Sequence, residues 1–353
     1  MKFVHISDVC LGAAPDYNKE WGENRTQEIE DTFKNIIKVC QDEDVRLLLI
    51  SGNLFNLPPE LHELEALDEM LMPLTSTRIV IAAGDRDYIA PGSPQETYKF
   101  KSKTVILPRD RTTNAYLKGI NTCVTGYSYG KKEYREPVLE EISPGREGAI
   151  NILMACGGTE DHMPFKSEVL AKKGFDYIAL GGSTKPVHIL KNRMAYPGSP
   201  EPLSNSDTGR RGYIIGEIEN GVTRIKWKPI SKRQYINMTI EISSDFSDQE
   251  IIEGVFKKMR KLGYDNIYTI VLKGLISRDM HLNFKKIKDR FNVYAIIDKT
   301  LSRHDEYKIY SDNQHNLLGR FIDNVSESYE QDDDVRAKAI RYGIEALFTS
   351  GDR

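Results

Sequence analysis

Short apolar runs alternate with amphipathic stretches through the first half of the chain. Phe3–Ser7 reads as a strand, and Arg25–Cys40 places Ile29, Phe33, Ile36, Ile37 and Cys40 on one helical face. Leu47–Ser51 is a second buried strand, Pro59–Leu74 a second helix and Arg78–Ala82 a third strand. This βαβαβ order predicts a sheet of parallel character with helices on its faces. Further strands are expected at Thr122–Gly126, Ile150–Ala155 and Tyr177–Leu180. Tyr213–Glu219 and Thr223–Pro229 should form a hairpin through Asn220-Gly221. So many strands predict a layered α/β sandwich over residues 1–230.

The pattern changes after Lys232-Arg233. Ile236–Ile242, Tyr268–Leu272 and Val293–Ile297 read as strands, with helices at Asp248–Leu262 and Leu282–Arg290 between them. These make a small α/β domain over residues 231–300. Asn316–Glu330 and Val335–Phe348 are expected to be helices of a C-terminal segment, 301–353, separated by the acidic run Asp332–Asp334.

Composition narrows the setting. The 353 residues are 29% charged and 39% hydrophobic, as in an ordinary globular protein. No stretch approaches the ~18 apolar residues of a membrane span, and the first residues enter a strand pattern without a signal peptide. Cys10, Cys40, Cys123 and Cys156 are scattered and form no CxxC pair, which points to a reducing, cytoplasmic setting. The formal net charge of −3 gives no general reason to expect nucleic-acid binding, which would need a local basic patch.

The candidate chemistry lies at strand ends, where parallel α/β sheets usually build their sites. Five turns stand there: Ser7-Asp8-Val9-Cys10, Gly52-Asn53-Leu54-Phe55-Asn56, Gly84-Asp85-Arg86-Asp87, Ala155-Cys156-Gly157-Gly158 and Gly181-Gly182-Ser183-Thr184-Lys185-Pro186. Their order and spacing resemble the motifs D-x-H, G-D-x-x, G-N-H-D, an isolated His and G-H-x-H of the calcineurin-like metallophosphoesterases. Leu11-Gly12, Leu54-Phe55, Tyr88, Asp176–Gly181, Lys185-Pro186 and Tyr196–Pro200 are similar to the SbcD-type DNA-repair exonuclease branch. The resemblance covers roughly the first 230 residues and implies an αββα sandwich. The capping domain and C-terminal helices follow the same architecture more loosely. It also implies a homodimer, DNA as a partner, and C-terminal helices that dock on an SbcC-like coiled-coil ATPase.

That family's chemistry needs two divalent ions ~3.5–4 Å apart, bridged by a carboxylate. Position by position, this chain departs from it. Asp8 keeps the first carboxylate, but the His two residues on is Cys10. The bridging Asp is Asn53, the Asn ligand is Asp85, the catalytic His is Arg86 and the isolated His is Cys156. The last His pair is Gly182 and Thr184, followed by Lys185. Losing one supporting partner commonly costs ~10–100-fold in affinity or activity, and here several direct ligands go together. The expectation is a non-catalytic binding or structural subunit linked to DNA repair, with no resident cofactor. The alternative is an active phosphoesterase or exonuclease with a rearranged site around Asp8, Cys10, Asp85 and Cys156. That site would hold one zinc or manganese ion, with Asn53 also in reach.

Other residues suggest smaller roles. Arg86 is expected to pair with Asp8, Asp85 or Asp87, or with Lys185 to bind an anion. His162 and His188 read as loop residues. Lys99–Lys103, with Tyr98 and Phe100 interleaved, and Lys131-Lys132 could touch a nucleic-acid backbone, although solvated surface lysines are the plainer reading. Val335, Ala339, Tyr342 and Ala346, with Ile340, Ile344 and Leu347, give the last helix a broad apolar face.

Overall fold

The protein is described by a computed structural model covering residues 1–242, 246–277, 282–303, 306–327 and 333–350. Two compact units divide it, Met1–Ile236 with Asp265–Ile267, and Asn237–Tyr264 with Tyr268–Arg353.

The first unit holds two six-stranded mixed sheets. Its strands are β1 (Lys2–Ile6), β2 (Leu47–Ser51), β3 (Arg78–Ala82), β4 (Thr104–Ile106), β5 (Thr113–Leu117), β6 (Thr122–Gly126), β7 (Ile150–Cys156), β8 (Tyr177–Gly181), β9 (Val187–Leu190), β10 (Met194–Tyr196), β11 (Gly212–Glu219) and β12 (Val222–Pro229). One sheet runs β12-β11-β1-β2-β3-β4, the other β5-β6-β7-β8-β10-β9. β1, β2, β3 and β4 are mutually parallel, as are β6, β7, β8 and β10. Helices α1 (Arg25–Asp42), α2 (Leu61–Leu71), α3 (Pro94–Thr97) and α4 (Ser167–Ala171) complete the unit.

Strand periodicity assigns the layers. Successive side chains point to opposite faces, so a buried strand feeds two cores. Leu48 and Ile50 of β2 join Ile29, Phe33 and Ile36 of α1 in one cluster. Leu47 and Leu49 instead join Ile152 and Met154 of β7 and Ala179 of β8 between the sheets. Leu153, Ala155, Ile178 and Leu180 face a third cluster that includes Leu170 of α4. The result is the αββα sandwich expected from the sequence. The expected hairpin is present, with Asn220 and Gly221 both at positive φ (51° and 74°). Strands β4, β5, β9 and β10 were not legible, being short or poorly alternating. The second helix begins at Leu61 rather than Pro59, capped by Glu60 and Glu63.

A buried ionic cluster also escaped the hydrophobic pattern. Arg25, wholly buried on α1, bonds Glu28 and the carbonyl of Pro202 (2.7 Å). Glu28 also accepts from Arg233, and Thr32 donates to Glu201 (2.7 Å). These bonds pin the chain after β10 to α1.

The second unit contains α5 (Asp248–Leu262), α6 (Lys285–Lys288) and β15 (Asn292–Arg303), with most of β13 (Tyr235–Ile242) and β14 (Ile267–Ser277), whose sheet order is β13-β14-β15. Ser247 and Glu250 cap α5, whose buried face is Ile251, Val255 and Met259. The helix expected over Leu282–Arg290 contracts to the four residues of α6. Then come α7 (Glu306–Asn313), α8 (Leu317–Ser326) and α9 (Asp333–Ser350). Residues 328–330 of the expected Asn316–Glu330 helix, and Asp332, lie outside the described residues. Leu318 and Ile322 of α8 pack on Ile340 and Ile344 of α9. A Cβ on Gly343 would fall 2.0 Å from the Phe321 ring, so glycine sets how closely these helices approach.

One buried polar thread ties the two sheets. His5 on β1 lies between Tyr177 Oη (2.9 Å from Nδ1) and Ser51 Oγ (2.8 Å from Nε2). Burial lowers its pKa to about 3. A depressed histidine pKa keeps the native imidazole neutral while the unfolded chain takes up a proton. Stability is therefore intact above pH ~6.5 and falls towards pH 3 by about 1.4 kcal/mol per pH unit. Unfolding free energies measured between pH 6 and pH 4 should approach this slope, and it should flatten in His5→Gln. An equal slope in both proteins would assign the acid sensitivity to other groups.

Candidate functional site

The carboxyl ends of β1, β2, β3, β7 and β8 deliver the five turns to one place. Beyond β1 and β2 the backbones stay zipped: Asp8 N–H donates to Gly52 (3.0 Å), Cys10 N–H to Asn53 (2.9 Å) and Leu11 N–H to Leu54 (2.8 Å). Three non-glycine residues here take left-handed backbone, Asp8 (φ 53°), Cys10 (φ 54°) and Asn53 (φ 54°). Asp and Asn tolerate this region, but cysteine seldom occupies it, and such strain gathers where a loop must aim side chains.

The centre of the arrangement is the Asn53 carboxamide. Its Nδ2 donates to Asp8 Oδ1 at 3.0 Å and to Asp85 Oδ1 at 2.9 Å. Its Oδ1 accepts the backbone N–H of Arg86 at 3.0 Å. The flipped amide would set an oxygen against two carboxylates, so the hydrogen-bond network fixes the orientation. The other Asp8 oxygen accepts the Gly182 N–H (3.0 Å). Burial raises the Asp8 pKa, opposed by its hydrogen bonds, Asn53 and Gly182 among them.

Asp87 organises the turn from beneath. Its carboxylate accepts the N–H groups of Gly84 (2.6 Å), Phe55 (3.1 Å) and Asn53 (3.2 Å). Burial nevertheless pushes its pKa up to about 6.

Cys156 is wedged between backbones. A Cβ on Gly52 would lie 2.6 Å from its Sγ, one on Gly84 2.8 Å and one on Gly182 3.1 Å, so only glycines admit the thiol. Burial and the nearby carboxylates of Asp8, Asp85 and Asp87 raise its pKa well above the usual thiol value. Cys10 is fully buried in the α1-side cluster, whereas Cys156 belongs to the cluster beyond the second sheet. Burial likewise raises the Cys10 pKa. Both thiols pack as small apolar groups.

The expected ion pair of Arg86 is not formed among the described residues. Arg86 is exposed, and its Nη1 donates to Asn56 Oδ1 (2.9 Å). An exposed guanidinium keeps its hydration, so burial does not force it onto a carboxylate. Thr184 is held by Asp207 (2.6 Å from Oγ1), while Arg211 donates to the Thr184 carbonyl (2.6 Å). Gly182 is exposed beside the site, and so is the Lys185 side chain. His162 lies in its loop and His188 is exposed on β9. Tyr98 and Phe100, both half-buried, pack on each other (4.8 Å) and against the α1-side core. The Lys131 ammonium lies over the Tyr134 ring (4.8 Å).

Sequence reasoning missed the Asp207–Arg211 clasp and Tyr129. The Tyr129 hydroxyl is buried and lacks a hydrogen-bond partner among the described residues. Burial and the nearby Cys156 and Asp85 raise its pKa. No local pattern marks either feature, because both depend on long-range packing. Among the described residues, no group of three or more His, Cys, Asp or Glu side chains is arranged to hold a metal ion.

No family model matches the chain. It is 26% identical over 333 residues to the DNA double-strand break repair protein Mre11 of Methanocaldococcus jannaschii, covering 89% of this chain and 86% of that one. The Mre11 of Sulfolobus acidocaldarius is 25% identical over 287 residues, 74% of this chain and 71% of the relative. An uncharacterized metallophosphoesterase of Bacillus subtilis, YhaO, is 25% identical over 162 residues, 43% and 40% of the two chains.

If the Asn53 amide holds the two carboxylates apart, Asn53→Asp removes both donors and adds a third buried negative charge. In chelator the variant should lose about 2–4 kcal/mol of stability. Added manganese should restore more of that loss than it adds to wild type. Equal melting of both proteins in chelator would remove the amide from its central role.

Proposed function

This chain belongs to the Mre11/SbcD type of calcineurin-like phosphoesterases, and we propose that it serves as a non-catalytic binding subunit in DNA repair, its dinuclear metal site lost. One observation carries the reading: the bridging position holds an amide that donates to both flanking carboxylates. A bridging carboxylate would bring a negative charge between two dications, whereas a neutral NH₂ offers them protons. The donor set around it does not fit two bridged ions. The thiols favour their protonated form, Thr184 is engaged by Asp207, and Arg86 adds a positive charge at the rim. The relatives' names supply the DNA-repair setting.

A binding role needs a partner surface, and α9 supplies one. Ile340, Ile344 and Leu347 are used against α8, while Val335 (48% exposed), Tyr342 (57%) and Ala346 remain outside, with Ala339 half-buried. Their spacing of four, three and four residues gives one helical stripe, suited to an SbcC-like coiled-coil ATPase. The four buried free cysteines suit a reducing, cytoplasmic setting, and no helix among the described residues is long and apolar enough to cross a membrane.

A manganese-supplemented nuclease assay on linear single- and double-stranded DNA tests the first claim. Wild type and Asp8→Ala should give the same background; cleavage that Asp8→Ala abolishes would establish an active, rearranged site instead. Copurification with an SbcC-like ATPase tests the second. Tyr342→Asp should break the complex without changing the melting temperature, and an undiminished complex would put the docking surface elsewhere.

A further inference from the structure

The sheet β12-β11-β1-β2-β3-β4 ends on β4, which pairs with β3 alone. Ile79 N–H donates to the Lys103 carbonyl (3.0 Å) and Leu107 N–H to the Ile81 carbonyl (2.8 Å). Parallel pairing uses alternate residues, so Thr104 and Ile106 turn their N–H and C=O groups to the open side. No partner meets these four groups among the described residues. Natural sheets usually cover or interrupt such an edge, because unpaired backbone is a template for another strand. Here an open groove of about 710 Å³ lies beside it, lined by Ile89, Gln95, Thr97, Ile106, Arg109 and Arg111 among others. Val105, 41% exposed, adds an apolar side chain at the edge itself.

The charge around this edge is lopsided. Residues 95–111 carry Lys99, Lys101, Lys103, Arg109 and Arg111 against two carboxylates, Glu96 and Asp110, in a chain of net charge −3. Both carboxylates are engaged by Arg109, at 2.5 Å from Glu96 and 3.0 Å from Asp110. Lys99, Lys101, Lys103 and Arg111 are exposed, and none is ion-paired among the described residues. Lys103 also donates to the Thr75 carbonyl. Cations along an edge repel a second copy of the same basic strand and attract an acidic one.

We propose that β4 takes up an acidic, extended peptide of a partner protein as one more strand of this sheet. Thr104 and Ile106 bond its backbone, Val105 meets an apolar side chain, and the lysines and Arg111 answer carboxylates on either side. A docked helix would leave the four edge groups unanswered, since its own backbone bonds are already made. A polyanion without a peptide backbone would use the cations alone. The surface lies on the first unit, on different residues from the α9 stripe, and does not depend on the fate of the phosphoesterase site. The readings therefore fail separately.

Fluorescence anisotropy of the full chain tests it with labelled peptides: one alternating glutamate and valine, one alternating lysine and valine, and the first fully N-methylated. Only the unmethylated glutamate peptide should bind. Thr104→Pro removes one outward N–H and no bond to β3, so it should weaken binding about tenfold at an unchanged melting temperature. Lys99→Glu combined with Lys101→Glu should abolish binding of the glutamate peptide and create binding of the lysine one. Lys132→Glu, at an exposed lysine elsewhere on the first unit, should change nothing. Four results would overturn the proposal. They are no binding of the glutamate peptide, equal binding after N-methylation, and a charge swap that leaves both affinities unchanged. The fourth is oligothymidylate binding more tightly than the peptide and losing that advantage in the swap, which would assign the lysines to phosphates.

Discussion

The Asn53 carboxamide holds the centre of the first unit together. Two carboxylates, one almost wholly buried and one half-buried, face the same small space. Like charges so placed repel and raise each other's pKa unless something between them answers the charge. The Asn53 NH₂ does so with one donor to each, and the Arg86 N–H locks the amide from behind. Asp87 then fixes the backbone that presents Asn53 and Gly84. Any one of these bonds is worth only about a kcal/mol net, but leaving a buried carboxylate without its donor costs several times that.

The strained loop backbone belongs to the same account. Left-handed Asp8, Cys10 and Asn53 cost free energy that ordinary loops avoid. The zipped hydrogen bonds between the turns after β1 and β2 stabilise that geometry whatever the side chains do. The frame here aims two carboxylates at an amide.

Legibility in the sequence followed the range of each interaction. Buried strands such as Leu47–Ser51 and the α1 face were readable because apolar periodicity is local and repeats. So were the motif turns, because glycines and aspartates at strand ends mark sharp, polar bends. The short strands β4, β9 and β10 were not, since three or four residues carry too little period to count, and β5 shows no clean alternation. Arg25, the first residue of α1, is buried, its charge answered by Glu28, with Glu201 3.5 Å away, partners that no local window contains together. Arg86 failed in the opposite direction: the expectation of an ion pair assumed burial, and the side chain is exposed. The packing of Phe256 and Tyr264 on Phe291 was invisible because these rings are scattered among lysines and meet only after folding.

The five strand-end turns carry no histidine, and the same electrostatics give that a consequence. Imidazoles gathered around two dications stay neutral because the metals hold their lone pairs. Without cations they would titrate between about pH 5 and 8 beside buried carboxylates, and the pocket would change its charge across physiological pH. The turns instead hold Cys10, Arg86, Cys156, Gly182 and Thr184. The thiols are pushed towards their neutral form, glycine and threonine do not ionise, and the guanidinium remains charged. His5 is neutral for a separate reason, lying between Tyr177 and Ser51 within the sandwich. Charge changes at this pocket therefore fall to its carboxylates, with the Asp8 pKa raised by burial and that of Asp87 pushed up to about 6.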